Sequence, residues 1–303
     1  MHIPNGFLSD PVCTVSTLTA AAAVGISFAR LRESDTSRSA AMMAATGAGI
    51  FAAQMVNFPL DQGTSGHVIG AAVAAIALGP WRGMLTMAMV LAVQCLLFGD
   101  GGLQVLGANI LNMGVIATLV ASVAYTFVTR RMAGTNGKLL GAGVAALGSV
   151  LAAALACSLE LAASGTFGLT EVVAAMLSVH AMIALCEGLI TVTVVAAAIA
   201  LSAQRRPLSS ARVMIVGLAV AIAVAGLLAP LASSSPDGLE RVAEDLNFAN
   251  LATGTSAILA DYEAPGIPWP SLAIAVAGMG GVLCVFASTY TVGRTAKVRV
   301  RKQ

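Results

Sequence analysis

Apolar residues run through the chain in long stretches, broken by short polar or basic segments. About nine such stretches can be drawn, over residues 12–29, 40–58, 67–79, 84–98, 108–129, 139–161, 172–203, 213–231 and 269–292. Most approach or exceed the ~20 residues that a helix needs to cross the hydrocarbon of a bilayer. The third has about 13 residues against the ~17 usually needed, so it is expected to be tilted, discontinuous or buried in protein. In hydrocarbon a backbone must satisfy itself, which leaves helices or a closed barrel. Period-two alternation is absent and Ala, Leu, Met and Gly dominate, so the expectation is helical. The predicted fold class is an all-α polytopic membrane protein with about nine transmembrane or membrane-embedded helices.

Composition agrees: 58% of residues are hydrophobic, 10% are charged and the mean hydropathy is +0.89, which excludes a soluble domain of this length. The surroundings implied are membrane lipid, with no nucleic-acid partner. The five cysteines, Cys13, Cys95, Cys157, Cys186 and Cys284, lie scattered in apolar stretches and read as small core residues. No cleavable signal peptide is expected, because the first basic residue, Arg30, follows the first apolar stretch. The bulk of His2 also disfavours removal of Met1.

Charge then fixes an expected orientation. With the amino terminus outside, the inner segments hold Arg30, Arg32, Arg38, Arg82, Arg130, Arg131, Lys138, Arg205, Arg206, Arg212, Arg294, Lys297, Arg299, Arg301 and Lys302. That is fifteen of the 16 basic residues, with Arg241 alone outside. Asp10, Asp61, Asp100, Asp237, Glu240, Glu244, Asp245, Asp261 and Glu263 fall on the other side. The positive-inside rule therefore predicts N outside and C inside. Ala21, Gly25 and Ala29 make a small-residue stripe suited to close helix packing, or simply reflect an alanine-rich chain. The basic linker Gln204-Arg205-Arg206-Pro207 suggests a boundary between residues 1–206 and 207–303. The second unit has two helices separated by an acidic outer segment, 232–268, of about 37 residues, longer than an ordinary connection.

Candidate chemistry starts at the amino terminus, Met1-His2. A free α-amine, the backbone nitrogen of His2 and its imidazole can close fused five- and six-membered chelate rings on one metal ion. The fourth donor must come from elsewhere, and His67 lies on the same predicted face, after Gly63-Thr64-Ser65-Gly66. Alone, His67 reads as readily as an interfacial histidine bonded to a neighbour; with His2 on its face, the ligand reading is favoured. Thr64 or Ser65 can cap the helix that follows. Four nitrogens including a deprotonated amide suit square-planar Ni²⁺ or Cu²⁺, with Co²⁺ accommodated. They do not suit tetrahedral Zn²⁺ or the oxygen-loving Ca²⁺ and Mg²⁺. His180 and Glu187 share a helix face two turns apart, either as functional groups or as a buried polar pair between helices. Asn57, Asn109 and Asn112 are either supports for the ligands or interhelical hydrogen-bonding residues. A competing class exists, because Gly63-Thr64-Ser65-Gly66 matches the GxSG pattern of rhomboid intramembrane proteases, with Ser65 and His180 as a dyad. The order is wrong for it, since Trp81-Arg82 should precede the serine motif. No G-x-x-x-x-G-K-[ST] is present, so the chain carries no nucleotide-hydrolysing loop and is not expected to be an enzyme.

A long ordered block resembles the CbiM/NikM family, the substrate-binding components of cobalt/nickel energy-coupling-factor transporters. It is carried by Met1-His2-Ile3-Pro4-Asn5-Gly6-Phe7-Leu8-Ser9, Asn57-Phe58-Pro59, Gly63-Thr64-Ser65-Gly66-His67, Leu78-Gly79-Pro80-Trp81, Phe98-Gly99-Asp100-Gly101-Gly102, and Leu106-Gly107-Ala108-Asn109 with Asn112-Met113. Asn5 stands where the family usually has an acidic residue. The resemblance implies that Met1, through its amine, His2, through backbone and ring nitrogens, and His67 bind the ion. The last third is similar to the auxiliary CbiN/NikN component, whose signature appears as Pro236-Asp237-Gly238-Leu239-Glu240. What this implies is an ATP-driven importer of Co²⁺ or Ni²⁺ in a bacterial inner (plasma) membrane. The ion is cargo and no cofactor is implied. The implied partners are a transmembrane coupling component of the CbiQ/NikQ kind and a cytoplasmic ATPase of the CbiO/NikO kind. A secondary metal transporter that works without an ATPase is the alternative.

Overall fold

The structure, a computed structural model, describes residues 1–31, 36–202 and 209–295. Arg32, Arg205, Arg206, Lys297, Arg299, Arg301, Lys302 and the linker Gln204-Arg205-Arg206-Pro207 lie outside the described residues.

Among the described residues the regular elements are helices, apart from one two-stranded ladder. They are α1 (Asp10–Ala29), α2 (Thr36–Gln54), β1 (Phe58–Pro59), β2 (Ser65–Gly66), α3 (Ala71–Phe98), α4 (Leu106–Arg131), α5 (Gly134–Ala163), α6 (Leu169–Ser202), α7 (Ser210–Leu231), α8 (Gly238–Asp245) and α9 (Pro270–Thr295). Seven of these, α1, α3, α4, α5, α6, α7 and α9, are long and apolar enough to cross a membrane. The nine apolar stretches of the sequence reduce to seven such helices for two reasons. The third and fourth stretches share one element, α3, and α2 is rich in small residues and enclosed by other helices, with Ala40, Ala44, Ala48, Phe51 and Ala52 fully buried.

The two arms of α3 meet at Gly79, which takes φ 76° and ψ 172° just before Pro80. A side chain strains at that φ, and proline cannot donate to the preceding turn, so the helix breaks there. The arms fold back on each other: a Cβ on Gly83 would lie 3.2 Å from the Ala74 carbonyl carbon. In a straight helix those residues stand about 13 Å apart. The short third stretch is thus a half-length arm buried in protein.

Helices α7 and α9 pack on α2 through small residues. Gly217 faces Ala45, Gly293 faces Ala40, Gly278 faces Met55 and Gly281 faces Phe51. At Gly281 a Cβ would lie 2.2 Å from the Phe51 ring, so only glycine admits that approach. The Ala21/Gly25/Ala29 stripe behaves differently. It is exposed, and a Cβ on Gly25 would meet nothing within 4 Å, so it packs no helix of this chain.

The segment between α7 and α9 lies over the amino terminus. Asn5 and Thr253 form an isolated antiparallel bridge, with Thr253 N–H donating to Asn5 O at 2.9 Å. Ser65 N–H donates to Pro236 O at 2.8 Å, and Leu259 N–H to Leu97 O at 2.9 Å. Helix α8 packs on α6.

Candidate metal-capture site

The first eight residues enter the bundle as an extended segment, and Met1, Ile3, Phe7 and Leu8 are buried. Their backbone needs partners, and Asn109 of α4 supplies two. Its Oδ1 accepts from Ile3 N–H at 2.8 Å and its Nδ2 donates to Ile3 O at 3.1 Å. Gly102 N–H also donates to Ile3 O at 3.0 Å. Gly102 must be glycine, since a Cβ there would lie 2.0 Å from Asn5 Oδ1 and 2.4 Å from Asn5 N. These bonds set the register that puts Met1 and His2 where they are.

The Met1 amine stands 3.2 Å from His67 Nε2. His67 Nδ1 faces its neighbour's carbonyl, Val68 O, at 3.1 Å, which places the ring proton on Nδ1 and the lone pair of Nε2 towards the amine. Two adjacent nitrogens of a square-planar ion with bonds of about 2 Å are about 2.9 Å apart, so the pair is close to a ligating edge. The His2 ring stacks on His67, with centroids 5.5 Å apart and planes 19° apart. His2 Nε2 lies 3.2 Å from Gln94 Oε1, and its Nδ1 lies 3.1 Å from Asp100 Oδ1. Closing the predicted six-membered ring therefore means that Nδ1 exchanges Asp100 for the ion. Gln94 Nε2 donates to Gln54 Oε1 at 2.8 Å, and Gln54 Nε2 donates to Ile69 O at 2.7 Å. A buried amide relay thus links the His2 ring to the segment that carries His67.

Two carboxylates flank these nitrogens. Asp237 forms an ion pair with the Met1 amine, and its Oδ2 lies 3.7 Å from His67 Nε2. It also caps α8, accepting from Leu239 N–H at 2.8 Å and Glu240 N–H at 3.0 Å, while the Glu240 carboxylate accepts from Asp237 N–H at 2.8 Å. Burial alone would raise the Asp237 pKa, but the Met1 ammonium and His67 outweigh it and hold it well below the usual carboxylate range. Burial lowers His2 to about 4, partly opposed by Asp100, so its imidazole is neutral near pH 7. Asp100 accepts from the Tyr262 hydroxyl at 2.5 Å, and burial together with Asp100 pushes that phenol well above 10.

The supporting residues expected from the sequence divide. Asn109 is brought to the site, as described. Glu187 reaches it through the backbone: its two oxygens accept from Ile69 N–H at 2.6 Å and Gly70 N–H at 2.9 Å. It thereby tethers the residues just after His67. The expected caps do not form. Residue 70, a glycine at φ +80°, precedes α3 with no side-chain cap, and Ser65 Oγ donates instead to Ser235 O at 2.7 Å. His180 has no bond to Ser65; its Nδ1 donates to Met176 O at 2.8 Å. No protease dyad is assembled. Asn57 contributes its carbonyl to Ser233 N–H at 2.8 Å, away from the amine. Asn112 Nδ2 donates to Glu160 at 2.6 Å, an interhelical bond that Ser16 joins at 2.7 Å.

Among the described residues, no group of three or more His, Cys, Asp or Glu side chains has a metal-holding arrangement. The amino-terminal cluster is not of that kind, because half of its expected donors are main-chain nitrogens. Gln54 and Gln94 escape a reading of motifs; their signal is an uncharged amide placed inside an apolar helix.

Residues 2–208 match the CbiM family, described as the cobalt uptake substrate-specific transmembrane region, and residues 211–298 match the PDGLE domain. A protein of Archaeoglobus fulgidus named as a fused nickel transport protein, NikMN, is 33% identical over 98% of this chain and 99% of its own length. The fused nickel transport protein NikMN of Rhodobacter capsulatus is 36% identical over 55% of this chain and 48% of its own length. A crystal structure of a truncated transition metal transporter has a TM-score of 0.57 and 32% identity, covering 66% of this chain and 98% of that one.

Proposed function

Since the chain belongs to the family of cobalt uptake substrate-specific transmembrane regions, with a PDGLE domain joined behind it, we propose that it captures Co²⁺ or Ni²⁺ at its amino terminus for transport into the cell. The observation that carries this reading is the Met1 amine 3.2 Å from His67 Nε2, with the His2 ring stacked beside them. A free amino terminus and the His2 backbone nitrogen complete a four-nitrogen set suited to these ions. Residues 1–206 hold the ion in this reading, and residues 207–303 form an auxiliary unit that brings Asp237 to the amine.

The finer parts of the proposal follow from charge and energy supply. The amino terminus faces outward and the carboxyl terminus inward across a bacterial inner membrane, with about nine embedded segments. Arg30, at the far end of α1 from Asp10, lies 5.3 Å over the Trp81 ring, which supports gathering Arg30 and Arg82 at the inner end. A coupling component of the CbiQ/NikQ kind and an ATPase of the CbiO/NikO kind drive release inward.

The test is to lengthen the chain by one residue before Met1 and to measure loading by elemental analysis after exposure to mixed divalent ions. The added peptide bond turns the chelating amine into an amide, so after desalting the native chain should retain one Co²⁺ or Ni²⁺ and the lengthened chain should have lost it. Equal retention by both would remove the amino terminus from the site. Uptake that survives ATP depletion, with ion gradients intact, would favour a secondary transporter.

A further inference from the structure

One buried histidine remains unused by the capture site. His180 is 1% exposed, and its Nδ1 donates to Met176 O at 2.8 Å, so the lone pair sits on Nε2. That Nε2 is buried and has no hydrogen-bond partner among the described residues. It opens on a cavity of about 10 Å³ lined by Met1, His67, Ile69, His180, Ile183 and Gly238, room for one water-sized particle. Ile69 and Ile183 line it with apolar side chains. A Cβ on Gly238 would lie 2.9 Å from His180 Cε1 and 3.1 Å from Nε2, so only a glycine after Asp237 admits this close approach to the imidazole. A buried, unpartnered imidazole lone pair on a residue that shares a cavity with Met1 and His67 is a nitrogen donor beside the capture site. His180 thus stands on α6 beside the capture nitrogens and against the residue that follows Asp237.

We propose that His180 is a transfer ligand for the transported ion. The inference rests on the capture reading above. The ion keeps His67 Nε2, gains His180 Nε2 and gives up the Met1 amine, passing from the amino terminus to α6 before release. This is ligand exchange alone; nothing is oxidised or reduced.

A soft thiolate in place of a ligating imidazole gives Co²⁺ a sulfur-to-metal charge-transfer band, which a merely structural position does not. The full chain is compared in lipid discs under excess free Co²⁺, where binding too weak to survive desalting is still read, as His67→Cys with its native terminus and as His180→Cys with the terminus lengthened by one residue. Each is read against its parent, which already contains the five native cysteines. Both variants should show the band. His180→Ala with the native terminus should still load one ion per chain, yet uptake by cells expressing it with its transport partners should fall at least tenfold. A band from His67→Cys but none from His180→Cys overturns the transfer role and leaves capture standing, as does full-rate uptake by His180→Ala. If His180→Ala fails to load, the His180→Cys band decides. If neither cysteine variant shows a band and the native chain retains no ion, capture falls and the transfer role falls with it.

Discussion

At the scale of single residues, the amine of Met1 matters only because its neighbours hold it still. His67 presents a lone pair to it, and Asn109 pins the next peptide but one. His67→Ala removes one of four nitrogens, so the variant should insert and fold yet lose stoichiometric metal by elemental analysis; retained metal would exclude His67 as a ligand. Asn109→Ala touches no ion. It leaves Ile3 N–H buried without its acceptor, a cost of about 1–3 kcal/mol, and loosens the register of the chelate. Loss of such supporting bonds typically lowers metal affinity about 10–100-fold, which titration calorimetry with Ni²⁺ should show. The residues of this layer were legible in the sequence where they are chemically unusual, as with a histidine next to the amino terminus. Asp100 and Asp237 were visible as members of motifs and among the acidic residues of the outer segments. Their place beside His2 and Met1 depends on contacts across 98 and 236 positions of chain, which no local pattern encodes.

At the scale of elements, the segment from β2 to α3 shows where local reading fails. Thr64 and Ser65 look like caps because the sequence offers them just ahead of an apolar run. The structure instead leaves residue 70 at φ +80° and satisfies Ile69 and Gly70 N–H from Glu187, on another helix. A carboxylate within the bundle, bonded through both oxygens to main chain, acts here as a tether for the His67 segment. Glu187→Ala should leave two buried donors without partners, each worth about 1–3 kcal/mol, and lower the melting temperature measurably. Glu187→Gln keeps one acceptor oxygen and should lose less. If both variants melt with the native chain and load ion fully, the tether has no influence on the site. The break at Gly79-Pro80, by contrast, was readable from the shortness of the third stretch, because too few apolar residues remained for a full crossing.

At the scale of the whole molecule, the helices follow from hydropathy, but the union of the two units does not. Small residues on α7 and α9 let both helices approach α2, and the connecting segment is stitched to the amino-terminal strand through Asn5. Asn5, a departure from the family pattern, bonds Thr255 Oγ1 at 3.1 Å and accepts from Gln104 N–H at 3.1 Å. The consequence is an enclosed site: Met1 is 4% exposed and His67 is 7% exposed beneath that segment. Because the segment lies over the nitrogens and Asp237 holds the amine, loading is expected to require that the segment move. Paired substitutions Asn5→Cys and Thr255→Cys place two thiols where side chains already touch. Mild oxidation should then form a bridge, detectable by mass spectrometry. Ni²⁺ loading should slow at least tenfold in the bridged protein and recover on adding a reductant, while either single substitution loads at the native rate. Unchanged loading in the bridged protein would mean that the ion enters by a path that leaves this segment in place.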